Sequence, residues 1–479
     1  MSGPQAGAGR LDPVWAGLIA GAVALALAQA SFYADDGLVL LGWLERGRIR
    51  HPWHALYLPL LDALRAPASA VGWTNYELAR GLSALGLALG CGASCAGLRW
   101  MGLARGEALL AALLAAAAPA VLFFGTVVEI HGPFYAFAGA SALALGWLVR
   151  APSAPRALAL GASTALSVGM HSSGHLLAVL CALGFAAQRA RACGARRTFA
   201  LCALVFAAHA ALAFALARAW TALGWLESEG AAAKLVLRGY TARDAAGLLR
   251  TLVSEWLVPF APLSLAWAWG RRPELRAERC AFAAVLVLYL ALSFALLGGH
   301  SERGAYLLPL AIPAASLSVR SLGRAAWPAL ALALGLAITA IRAHDDPHAQ
   351  RAFAAGVRAL DGAPPAGLLL VERHELSACA IELPQVEAVF LPEVAGSAPG
   401  DWPQALHALR ARVDDARARG AAWYLTRDGR AYLERADLPS TRWLLQGLEQ
   451  QYELVPAASG AFAGWRLEPR AGAAGAAPG

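Results

Sequence analysis

Charge is the first thing in short supply. Asp, Glu, Lys and Arg make up 15% of the 479 residues and hydrophobic residues 58%, whereas soluble domains carry about a quarter charged residues. With a mean hydropathy of +0.50, this excludes an ordinary soluble protein, because apolar segments near the roughly 20 residues needed to cross a hydrocarbon core of about 30 Å recur along the chain. Cysteine is sparse and unpatterned. Cys91, Cys95, Cys181, Cys193, Cys202, Cys280 and Cys379 form no Cys-x-x-Cys pair, which removes zinc-ribbon and dithiol chemistry. Six lie in or beside apolar segments as small packing residues, and Cys379, alone in the C-terminal region, rules out an internal disulfide there. No span-length repeat is visible, so the duplicated halves common in transporters are missing. The net charge of +8 and pI near 9.4 do not signal nucleic acid, since the arginines sit in short clusters between apolar segments.

What is present is a series of eleven apolar segments, at about 14–34, 78–98, 107–125, 128–149, 156–170, 174–188, 198–220, 251–269, 278–298, 305–319 and 325–341. The first, after a short polar leader, also fits a cleaved signal peptide ending near Ala26-Leu27-Ala28. It exceeds the apolar core of about 7 to 15 residues of such signals, however, and only Arg10 precedes it. Arginine accumulates in alternate loops: Arg99 and Arg105; Arg150 and Arg156; Arg189, Arg191, Arg196 and Arg197; Arg271, Arg272, Arg276 and Arg279; Arg320 and Arg324. The positive-inside rule then places the N-terminus in the cytoplasm, and eleven spans put the first loop and the C-terminal region outside. The expected fold is an all-α polytopic membrane protein of about eleven transmembrane helices with a small C-terminal extracytoplasmic α/β domain. The membrane domain covers 1–341, the α/β domain 342–470 and an Ala/Gly tail 471–479. Within the α/β domain, 367–371 and 422–425 read as buried strands, and 349–360 and 403–419 as helices.

The long first loop, 33–75, carries the densest chemistry. Asp35 and Asp36 stand where the first segment leaves the bilayer, and a charge costs about 2.5 to 3.5 kcal/mol at a membrane helix centre and less toward the interface. An aspartate here can take a proton from an attacking hydroxyl, or cap a helix; each of the pair is a candidate for either role. His51 and His54 follow in Arg50-His51-Pro52-Trp53-His54. Leucines at helical spacing on both sides indicate short interfacial helices. On the same face, Glu129 and His131 open the fourth segment, where they can position a substrate or, for the glutamate, complement the helix dipole. His171 and His175 lie four apart, on one helical face, as phosphate or metal ligands or as a hydrogen-bonded pair at a helix break. Two histidines alone make no catalytic zinc site, and a metal requirement is not readable from the chain. In the last outer loop, Arg303 and His300 are candidates to hold an anion, with Tyr306 close behind; the arginine can instead snorkel to the interface. His209, midway along its segment, reads as a satisfied core residue.

The acidic pair in the first outer loop, His51-Pro52 after it and Glu129-Ile130-His131 further on make the chain resemble the GT-C superfamily of membrane glycosyltransferases, and within it bacterial proteins related to protein O-mannosyltransferases. The resemblance covers roughly 14–341. Trp53 stands where a second proline is common, and the carboxylate expected a few residues after Asp36 is absent. The resemblance also aligns Arg303, Tyr306, Leu308 and Pro309 with an Arg-Tyr element that leads into a Leu-Pro segment. It implies an inverting sugar transferase of the bacterial inner membrane with a polyprenyl-phosphate-linked donor and a glycan, lipid or protein acceptor. Asp36 or Asp35 would be the base, and His51, His54, Glu129, His131, His171, His175, His300, Arg303 and Tyr306 would bind substrate. A transporter or lipid flippase is the alternative, and the break at 171–174 speaks for it.

Overall fold

The computed structural model describes residues 11–33, 36–45, 47–51, 53–226, 244–264, 272–297, 302–395, 401–435 and 439–470. The chain divides into two compact units, one made of the segment up to Gln29 with Val39–His344, the other of Ala30–Leu38 with the residues from Asp345 onward. The second unit thus recruits a short stretch of the first loop, which the boundary expected at residue 342 does not include.

In the first unit, α1 (Asp12–Ala26), the greater part of α2 (Asp36–Glu45), α3 (Tyr57–Ala70), α4 (Asn75–Trp100), α5 (Arg105–Ala116), α6 (Pro119–Thr126), α7 (His131–Arg150), α8 (Ala154–Met170), α9 (Gly174–Cys193) and α10 (Ala195–Ala222) follow in order, then helices Arg276–Leu297, Ala311–Leu322 and Ala326–His344. Seven helices of the described residues are long and apolar enough to cross a membrane, or eight if α5 and α6 form one span, and part of the segment expected at 251–269 lies outside the described residues. Helix α1 ends at Ala26, not at residue 34, because the chain beyond it bonds elsewhere. The Gln29 N–H donates to Thr126 O (2.9 Å) and its side-chain amide to Thr126 Oγ1 (2.8 Å). The segment expected at 107–125 is broken. Pro119 forces Ala118 out of the helical region, to φ −55° and ψ 135°, and α5 and α6 meet at 65°.

Helices α4 and α7 pack along a seam of small residues. A Cβ on Gly139 would sit 2.3 Å from Gly90 O, and one on Gly132 would sit 2.9 Å from Ser83 Cα, so both helices need their glycines to approach this closely. Ser83 Oγ donates to Glu129 O (3.2 Å) at the top of that seam. The seam therefore fixes the first turn of α7 against α4.

In the second unit, a five-stranded sheet runs in the order β2-β1-β3-β5-β4, with β1 (Pro365–Leu370), β2 (Glu387–Phe390), β3 (Ala422–Thr426), β4 (Tyr452–Ser459) and β5 (Phe462–Pro469). The three strands β2, β1 and β3 are parallel, and the β4–β5 hairpin adds antiparallel to β3. Alternation divides the side chains between the faces. Leu369, Trp423 and Leu425 pack with Val413 and Leu444, and Leu368, Leu370 and Tyr424 with Phe353 and Ala378. The sheet is thereby covered on one face by Trp402–Ala418 and Pro439–Gln451, on the other by His348–Arg358 and Arg373–Ile381.

Candidate active site

Five of the sequence candidates converge at one end of α7, α8 and α9. His171, the residue at which α8 ends, takes extended backbone (φ −154°, ψ 138°). Its ring centroid lies 4.8 Å from that of His131, 5.1 Å from His54 and 4.9 Å from Tyr306. Tyr306 also meets His131 edge-on at 5.9 Å. Glu129 completes the group, with Oε1 3.5 Å from His131 Nδ1. Glu129 is 2% exposed and His131 6%.

These side chains are buried without being satisfied. His54 Nδ1, Glu129 Oε2, both ring nitrogens of His131 and the hydroxyl of Tyr57 have no hydrogen-bond partner among the described residues. An unmade bond costs each such group about 1–3 kcal/mol, so their concentration here marks a candidate functional site. Nothing among the described residues groups three or more His, Cys, Asp or Glu in a metal-binding arrangement.

His51 has a different task. Its Nδ1 accepts the N–H groups of Trp53 (2.9 Å) and His54 (3.0 Å), and its own N–H donates to Trp225 O (3.1 Å). It therefore shapes the turn that delivers His54, whose ring lies 4.5 Å away. The acceptor role requires an unprotonated Nδ1. Burial, assisted by Arg48, lowers the His51 pKa to about 4 and keeps it so. Burial, with the imidazoles of His171, His51 and His131, likewise pushes His54 well below the usual histidine range.

Arg303 stands on a strained turn. Its φ is +51°, a left-handed conformation rarely taken by a residue of its kind, and buried Glu255 holds the turn in place. The two Glu255 carboxylate oxygens accept the N–H groups of Glu302 (3.0 Å) and Gly304 (2.8 Å). The guanidinium sits 5.1 Å from the centroid of Phe123; the neighbouring Phe124 lies 5.0 Å from His131. The aromatic pair and Tyr306 thus connect Arg303 to the histidine group.

His175 does not join. Its Nδ1 is 3.0 Å from His209 Nε2, and His209 Nδ1 is 3.0 Å from Thr164 Oγ1. The break between α8 and α9 separates it from His171, and His209 is the satisfied core residue the sequence suggested. Asp36 is the first residue of α2, but its side chain lies outside the described residues, as do Asp35 and His300. Two residues had not been singled out. Glu255 carried a signal, an ionisable group inside an apolar segment; Tyr57 carried none, being one aromatic in a leucine-rich stretch.

No family model matches the chain, and no curated protein matches it by sequence. Among solved structures, it is similar to ArnT from Cupriavidus metallidurans bound to undecaprenyl phosphate, with a TM-score of 0.56 at 14% identity over 97% of this chain and 98% of that one. The same ArnT in the apo state matches with a TM-score of 0.50 at 13% identity, with equal coverage. The likeness is one of fold: this chain has the fold of these ArnT structures.

Proposed function

We propose that the protein transfers a sugar from a polyprenyl-phosphate-linked donor to an acceptor hydroxyl on the extracytoplasmic face of a bacterial inner membrane. The observation that carries this reading is the convergence of His54, Glu129, His131, His171 and Tyr306, with polar atoms left unpaired, inside a GT-C fold. ArnT, solved with undecaprenyl phosphate bound, is a precedent for such a lipid in this fold. The order His51-Pro52 then Glu129-Ile130-His131 favours the O-mannosyltransferase-like branch.

In this mechanism the acceptor oxygen forms a bond to the anomeric carbon from the face opposite the phosphate, as the bond from that carbon to the phosphate oxygen breaks, and the configuration inverts. The acceptor proton passes to Asp36 or Asp35. Negative charge develops on the departing lipid phosphate, and Arg303 with His300 neutralises it. The Glu255 clamp fixes the backbone turn that carries the arginine before the charge appears, which limits the reorganisation required during the reaction. The imidazole of His54, kept neutral by burial, offers the sugar hydroxyls both a donor and an acceptor, and His131 stands beside the same group.

The test is transfer of radiolabel from a panel of polyprenyl-phosphate sugars by protein reconstituted in vesicles. The wild type should form product. Asp35→Asn with Asp36→Asn should lose about 10²–10⁴-fold in rate while inserting normally, and full activity in that variant contradicts the proposal. Movement of label across the bilayer with no product would instead establish the transporter reading.

A further inference from the structure

The ends of α7, α8 and α9 that gather the histidines have a counterpart across the bundle. Helix α7 runs 20 residues from His131 to Arg150, or about 30 Å at 1.5 Å per residue, so its far end lies a bilayer thickness from the candidate active site. There a cavity of about 770 Å³ is lined by Arg189, Arg191, Arg276, Arg320, Glu274 and Glu278. Two of the arginines are already engaged. Arg320 pairs with Glu278 at 2.5 Å, and Arg189 Nε donates to Val149 O at 2.6 Å. Arg191 and Arg276 have no ion-pair partner among the described residues and are exposed, leaving the cavity with a surplus of positive charge.

An apolar slot adjoins this cavity, with Gln188 and Glu278 in the wall of both. It runs between α4, α7, α9 and two later helices, past Leu98, Leu145, Leu180, Phe282 and Leu317. A cation pair beside an apolar slot at one end of membrane-length helices matches an amphiphile rather than a free anion, and basic pockets between helices at the cytoplasmic face are known to take lipid head groups. We propose that cavity and slot form a binding site for one anionic glycerophospholipid, its phosphate on Arg191 and Arg276 and one acyl chain in the slot. Nothing in this depends on the transfer reaction, so the two readings stand or fall separately.

The test uses the full-length protein in neutral detergent, titrated with dioleoyl-phosphatidylglycerol, dioleoyl-phosphatidylcholine or inorganic phosphate, with lipid retention read by native mass spectrometry and stability by thermal unfolding. Phosphatidylglycerol should be retained and should raise the unfolding midpoint; the other two should do neither. Arg191→Glu with Arg276→Glu should reduce retention at least about tenfold, and Leu180→Trp, which fills the slot and spares the arginines, should weaken it as well. Equal stabilisation by phosphatidylcholine overturns the proposal, because the charge would then be irrelevant. Equal stabilisation by inorganic phosphate overturns it too, because the slot would then be irrelevant. Should the charge-reversed variant not fold, the ligand comparison on wild type and Leu180→Trp decides.

Discussion

The two units bury unsatisfied polar groups in different ways. In the α/β unit the orphans sit on separate elements: Gln350 on helix His348–Arg358, Glu375 on helix Arg373–Ile381, and Gln451 and Tyr452 where a helix hands over to β4. In the membrane unit Tyr135, Ser264, Arg279 and Tyr289 are separate too, but His54, Glu129, His131 and Tyr57 belong to one neighbourhood, in which the imidazoles of His54 and His131 lie against His171 and Glu129 lies beside His131. An isolated orphan is a local cost that the surrounding core absorbs. A concentration of them is a cost that packing would have removed unless binding required it.

The largest effect should come from testing that contrast directly with His131→Leu. Replacing a buried imidazole whose nitrogens make no hydrogen bond among the described residues should cost little stability, yet transfer should fall about 10²–10³-fold, the loss typical of one preorganised polar contact. A destabilised variant, or one of undiminished rate, breaks the contrast. Glu375 is the matching case in the other unit. Burial first, and the nearby Asp428 among lesser causes, raises its pKa from 4.5 to about 7. The folded state then holds its proton more tightly than the unfolded chain, so stability declines as pH rises from about 4.5 through about 7 and levels off above, by up to about 3 kcal/mol. Glu375→Gln should flatten that slope, followed by amide exchange of β1 against pH, and leave transfer unaffected. A persistent slope would place its origin elsewhere.

A smaller effect is expected at the α4–α7 seam. Gly139→Val drives a side chain into Gly90 O and should cost about 1–3 kcal/mol, read as a lowered unfolding midpoint with parallel loss of activity. The mildest is Glu255→Gln, which keeps the size but leaves one acceptor oxygen for the two N–H groups of Glu302 and Gly304. Rate should fall about tenfold, in line with the loss of one buried hydrogen bond, with the unfolding midpoint lowered less than in Gly139→Val. An unchanged rate would show that the Arg303 turn needs no clamp.

How legible all this was in the sequence also differs between the units. A short continuous apolar run is the mark of a buried strand, so Leu368–Leu370 and Trp423–Leu425 announced β1 and β3, and the amphipathic stretch of Trp402–Ala418 its helix. The β4–β5 hairpin escaped because Tyr452–Ser459 mixes Glu, Pro and Ser into a half-exposed edge strand. In the membrane unit the apolar segments marked where helices lie, but not where tertiary contacts end them. Gln29 bonding to Thr126 shortens α1, and Pro119 divides another segment. His51, His54, Glu129, His131, His171, Arg303 and Tyr306 were all legible as polar residues at one face. The separation of His175 from His171 was not, because helical spacing does not report a helix break and a partner such as His209 comes from a different helix.

The most direct measurement is photo-crosslinking of the full-length protein with a diazirine-bearing polyprenyl phosphate, followed by peptide mapping. Labelling concentrated on peptides containing His54, His131, His171 or Tyr306, and competed away by unmodified polyprenyl phosphate, is the result this account predicts. Label found only on other peptides, or on these without competition, would contradict it.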